Sequence, residues 1–105
     1  MGKLGEFVPA MKVTDLAEGT MSAIDLRGSH ILLSKIAGET YAVSGTCTHE
    51  ETDLARGFVL EDRVICPLHL SQFDLKTGQV MNPPAEIPLQ HFNVKIEGET
   101  IFVEV

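Results

Sequence analysis

Two short stretches constrain this chain more than anything else in it: Cys47-Thr48-His49 and, after sixteen intervening residues, Cys66-Pro67-Leu68-His69. Each supplies one sulfur and one imidazole, so a fold that brings them together creates a site with two cysteine and two histidine donors. The chain has two cysteines in all, and both fall in this pattern, so none is left for a disulfide if both bind metal. Such a donor set suits a single tetrahedral zinc ion or a 2Fe–2S cluster with imidazoles on one of its irons. The four donors alone do not choose between the two.

Size and charge narrow the surroundings. A chain of 105 residues with 44% hydrophobic content fits one globular domain with one core and argues against disorder. The apolar run Ile31-Leu32-Leu33 is far short of a membrane span. The opening MGKLGEF lacks the apolar centre of a signal peptide, and Glu6 stands where a myristoylation signal takes Ser or Thr. The expected setting is therefore a reducing cytoplasm, with no membrane, where cysteines bind metal more often than they pair. Fifteen acidic residues against eight basic ones give a net charge of −7, the wrong sign for nucleic acid. That charge serves solubility, or steers the chain toward a basic patch on a protein partner.

Short β-like runs separated by turn residues fill the chain, and no sustained 3.6-residue period appears. The first half reads as strands over Phe7–Ala10, Met21–Leu26, His30–Ile36 and Thr40–Ser44, with turns at Arg27-Gly28-Ser29 and Ala37-Gly38-Glu39. Thr14–Gly19 is the best helical candidate, only about one turn long, with a capping residue at its start and a glycine at its end. Short strands follow at Arg63–Cys66 and Gln72–Leu75, then a turn at Lys76-Thr77-Gly78 and a break at Asn82-Pro83-Pro84. Phe92–Ile96 and Thr100–Val105 close the chain as a hairpin. The predicted class is all-β, an antiparallel sandwich or barrel.

The segments CTHEETDLARG and VICPLHLSQFDLKTGQ, the Pro83-Pro84 turn and the tail VKIEGETIFVEV together resemble the Rieske ferredoxin family. The likeness is greatest to the soluble ferredoxins of multicomponent ring-hydroxylating oxygenases. It runs over nearly the whole chain and is strongest from Cys47 to Gly78. The resemblance implies a Rieske iron–sulfur fold: a basal β part (1–45 and 82–105) into which a cluster-binding part (46–81) is inserted. It also implies one [2Fe–2S] cluster per chain, with Cys47 and Cys66 on the buried iron and His49 and His69 on the iron nearest solvent. Neutral imidazoles in place of two thiolates remove negative charge and favour the reduced state. Hence such centres lie at roughly −150 to +300 mV, against about −400 mV with four cysteines.

By the same resemblance, Ser71, Phe73, Pro67 and Pro83 surround the ligand set. High-potential relatives place a serine two residues and a tyrosine four residues after the second histidine, where this chain has Ser71 and Phe73. The serine donor is kept and the phenol is lost. Such relatives also carry an extra cysteine pair, for which this chain has no residues. Both absences point to the low-potential end. Leu70 and Glu51 stand where glycines are common, and Glu50 and Glu51 put two carboxylates beside His49, which disfavours reduction or forms a rim for a basic partner.

The implied role is a one-electron carrier rather than an enzyme. It would take electrons from a flavin-dependent reductase and deliver them to a terminal oxygenase, docking transiently near His49 and His69. Two rivals are a small Rieske subunit of a larger reductase, such as a nitrite reductase, and a zinc-stabilised binding module without redox chemistry. His30 and His91 read as structural or surface histidines, Asp53 and Asp74 as supporting or surface residues, and Met11, Met21 and Met81 as packing. No Ser-His-Asp order, phosphate-cradling loop or paired catalytic carboxylates stand out.

Overall fold

The computed structural model describes residues 5–47, 52–67, 71–82 and 87–105, and all structural statements below concern these. In chain order the strands are β1 (Phe7–Lys12), β2 (Met21–Leu26), β3 (Ser29–Ile36), β4 (Glu39–Ser44), β5 (Phe58–Leu60) and β6 (Arg63–Ile65). They continue as β7 (Gln72–Asp74), β8 (Val80–Asn82), β9 (His91–Phe92), β10 (Val94–Glu97) and β11 (Thr100–Glu104). Every pairing is antiparallel, in three sheets ordered β1-β11-β10, β2-β3-β4-β9 and β5-β6-β7-β8.

Two tight hairpins build the middle sheet. Arg27 and Gly28 (φ 50° and 82°) join β2 to β3, and Ala37 and Gly38 (φ 53° and 82°) join β3 to β4. Positive φ at both turn residues is the geometry whose twist matches the flanking strands. The turn at 37–38 is also capped by Glu18, whose carboxylate accepts the Ala37 and Gly38 amides at 2.5 and 2.8 Å.

The run Ile31-Leu32-Leu33 explains the layering. Alternate residues of a strand face opposite sides, yet all three are fully buried. Ile31 and Leu33 join Ala42, Phe92, Ile101 and Val103 in one apolar cluster, against the β1-β11-β10 sheet. Leu32 and Ile36 join Val43, Leu54, Val64, Phe73, Leu75 and both cysteines in a second. The middle sheet is thus covered on both faces, and a continuous apolar run is what such a strand needs.

Three expectations are corrected. Thr14–Gly19 is not a helix: a three-residue 3₁₀ turn spans Val13–Asp15, and Lys12 before it makes no side-chain cap. A single turn cannot repay the cost of helix nucleation, and burial of Leu16 fixes this segment instead. Phe92–Ile96 is not one strand. His91–Phe92 pairs with β4 and Val94–Glu97 with β11, so the chain changes sheet at Asn93. Met81 is 42% exposed rather than packed, whereas Met11 and Met21 do pack against the two clusters. Two further strands, β5 and β8, are three residues each and have no alternating pattern of their own in the sequence.

Candidate metal centre

Both cysteines end a hairpin stem. In the first stem the Leu54 N–H donates to the Gly45 carbonyl (2.8 Å), Thr46 bridges Asp53, and the Cys47 N–H donates to the Thr52 carbonyl (2.8 Å). In the second, β6 and β7 pair up to Ile65 and Gln72, and the Cys66 N–H donates to the Ser71 carbonyl (2.8 Å). Each cysteine is therefore the last rung before four residues, 48–51 in one case and 67–70 in the other. Both intervals contain one of the expected histidine ligands. An antiparallel rung fixes backbone direction on both sides, so the two sulfurs are set by sheet geometry rather than by free loops.

The stems converge. Cys47 is 1% exposed and Cys66 0%, they are not joined in a disulfide, and they sit in the same apolar cluster. Behind the first stem, a 3₁₀ turn at Leu54–Arg56 drops fully buried Leu54 into that cluster. Gly57 closes this turn against the second stem: a Cβ there would collide with the Ile65 carbonyl and crowd Pro67 Cδ. The absence of a side chain at 57 is what lets the two stems lie together.

Of the expected residues around the ligands, Phe73 is fully buried in the cluster that holds both cysteines, opposite Val64, and Ser71 is fully buried on the last rung of the second stem, across from Cys66. Pro67 is exposed. His49, His69, Glu50, Glu51, Leu70 and Pro83 lie outside the described residues. Among the described residues no group of three or more His, Cys, Asp or Glu is placed to hold a metal. The two cysteines supply two of the four expected donors.

The remaining histidines separate. His91 is exposed on β9. His30 is engaged: its Nδ1 lies 2.7 Å from Asp25 Oδ1 and its Nε2 lies 3.0 Å from Asp53 Oδ1. The same Asp53 oxygen accepts the Ala55 amide (3.0 Å), capping the 3₁₀ turn of the first stem. The bond to Asp53, then the bond to Asp25, push the His30 pKa above its ordinary value. The bond to His30 holds the Asp53 carboxyl below the usual carboxylate range. No sequence motif marks either contact, of which the one to Asp25 spans five residues and the one to Asp53 spans 23. Asp74 organises the turn after β7, its Oδ1 accepting the Lys76 amide at 2.7 Å.

Two reduced thiols, shielded from water at matching rungs and flanked by a buried serine, suit the sulfur side of an iron–sulfur group. Thiolate ligation is what such a donor pair offers a metal.

No described helix is long and apolar enough to cross a membrane. Residues 6–93 match the family model described as the Rieske [2Fe-2S] domain. The ferredoxin component of biphenyl 2,3-dioxygenase from Rhodococcus jostii RHA1 is 36% identical over 91 residues, covering 87% of this chain and 85% of that protein. The ferredoxin of carbazole 1,9a-dioxygenase from Nocardioides aromaticivorans IC177 superposes with a TM-score of 0.89 at 28% identity, covering 94% of this chain and 97% of the other. A solved complex of reduced oxygenase and oxidised ferredoxin in carbazole 1,9a-dioxygenase matches with a TM-score of 0.88 at 25% identity, covering 93% of this chain and 92% of that one. With paired cysteine stems, an antiparallel three-sheet fold and a match over most of its length, the chain belongs to the Rieske [2Fe-2S] domain family.

Proposed function

We propose that this chain carries single electrons from a flavin-dependent reductase to the terminal oxygenase of a ring-hydroxylating system, as a cytoplasmic protein. Cys47 and Cys66 would hold the sheltered iron, and His49 and His69 the iron nearest solvent. Residues 46–81 would form the cluster-binding part, set into a basal part of 1–45 and 82–105. When bound, the cluster supplies a site that gains and loses one electron.

The observation that carries this reading is the matched pair of stems: two buried thiols, each on the final backbone rung before a histidine-containing interval. The chain's own residues bind the cluster by sulfur, exclude water with Leu54, Phe73 and Leu75, and keep both stems rigid. Rigidity matters because electron exchange is fastest where little must rearrange. Docking near His49 and His69 would be brief and small, so that the two partners can exchange. The named relatives are ferredoxin components of dioxygenase systems, which supports the oxygenase as acceptor. The reductase rests on the resemblance alone.

Iron and acid-labile sulfide analysis of the native protein tests the ligand set, together with electron paramagnetic resonance after dithionite. Two irons and two sulfides per chain, with a signal characteristic of mixed histidine and cysteine ligation, are the expected result. A colourless protein holding zinc would overturn it.

A further inference from the structure

His30 stands with a carboxylate at each ring nitrogen. A carboxylate only accepts hydrogen bonds, and a neutral imidazole has a single N–H. Both contacts are satisfied together only when both ring nitrogens carry protons. The ring lies directly over Gly45, where a Cβ would come within 2.8 Å of its Cδ2. The backbone of the same residue accepts the Gly45 N–H at 2.8 Å. Gly45 and Asp53 are opposite sides of the first cysteine stem, so one residue of β3 grips both.

We propose that His30, as an imidazolium, is the positioning residue of the first cysteine stem, clamping Asp53 to the β2–β3 pair and so fixing the rungs that lead to Cys47. This rests on the assignment of Cys47 as a cluster ligand and adds the device that holds it. The second stem has no counterpart among the described residues: β6 and β7 are secured by ladder pairing and by Arg63 donating to Gln72 (3.0 Å). The charged groups facing the ring are Asp25 from β2 and Asp53 from the stem. Arg56, on the turn after Asp53, helps keep that carboxylate ionised, and the residue that follows β4 beneath the ring is Gly45, which brings no charge. The imidazolium offsets one of two carboxylates beside the first ligand stem, and losing its proton leaves Asp25 or Asp53 facing a lone pair.

Hydrogen exchange by mass spectrometry on the cluster-loaded protein tests this, comparing peptides over 45–56 and 63–75. In His30→Gln, exchange over 45–56 rises about fivefold while 63–75 is unchanged. The wild-type protein loses the same protection as pH rises through the His30 titration, after correction for intrinsic exchange, and the variant shows no such step. Unchanged exchange over 45–56, or equal loosening of both stems, would overturn the proposal. Should His30→Gln not fold, the wild-type pH series and the ring-nitrogen resonances still decide. Two protonated nitrogens at pH 7 support the clamp, and a single protonated nitrogen refutes it. Wild-type protein free of iron and sulfide would instead refute the cluster reading, with the exchange result standing by itself.

Discussion

Cys66 gives its amide proton to the Ser71 carbonyl at 2.8 Å, the same five-residue step by which Cys47 bonds to Thr52. Two stretches alike in little beyond a cysteine and a histidine thus share the same closing rung. The equivalence sets both sulfurs at the ends of ladders, where a one-residue slip would turn them away from each other. An insertion between Cys66 and Ser71 breaks one rung and displaces one sulfur, while the same insertion in the turn at Gly98 between β10 and β11 disturbs neither.

Phe73 is fully buried in the cluster that contains both cysteines. Phe73→Tyr adds one hydroxyl to that water-free region. A hydrogen bond to a cluster sulfur worth about 1.4 kcal/mol would raise a one-electron potential by about 60 mV. Protein-film voltammetry is expected to show a rise of that order, and an unmoved potential means that the ring edge points away from sulfur.

Leu32 and Leu33 are neighbours in β3 yet belong to different apolar clusters. Alanine at either costs about 2–5 kcal/mol of stability. Only Leu32→Ala opens a void in the cysteines' cluster, so it is expected to lower iron retention in iron-release measurements. Leu33→Ala is expected to lose similar stability in denaturant melts and, in its folded state, to keep its iron.

The His30–Asp53 contact has a defined pH window. His30 is held above its ordinary value, so its contribution is whole below about pH 6.5 and fades as pH rises through the folded value. Asp53 is held below its ordinary value, so its contribution is whole above about pH 3.9 and fades as pH falls through the folded value. The Tm gap between wild type and His30→Gln is therefore expected to be widest between about pH 4 and 6.5 and to narrow in alkali. A gap constant to pH 9 would contradict the charged form of the ring.

His69→Cys replaces a neutral proposed ligand with an anionic one. The variant is expected to keep a cluster and to drop in potential toward the four-cysteine range of about −400 mV. An unchanged potential would show that His69 is not a ligand.

With a net charge of −7, association with a basic partner should weaken as salt screens it. Stopped-flow reduction by the proposed flavin-dependent reductase is expected to slow steadily between about 0.05 and 0.5 M salt.

Much of this was legible in the residues themselves. Arg27-Gly28 and Ala37-Gly38 between β-rich runs announce two tight hairpins, and the three central strands were placed within two residues of their observed ends. The two cysteines that the spacing singles out are both buried in one apolar cluster. What escaped depends on distant partners. Phe92 is held by Ala42 and Val94 by Val103, so the break at Asn93 follows from sheet exchange and not from local preference. The strands β5 and β8 exist because β6 and β7 offer them ladders. The clamp on His30 joins side chains that only the finished fold makes neighbours.

The doubly covered middle sheet has a final consequence. It is a party wall: the room holding the cysteines and the room behind it share the same strands, and neither can be emptied while the other stays furnished. Loss of order in the rear room should thus release iron at once rather than in a later stage, so colour and secondary structure ought to vanish in a single cooperative event.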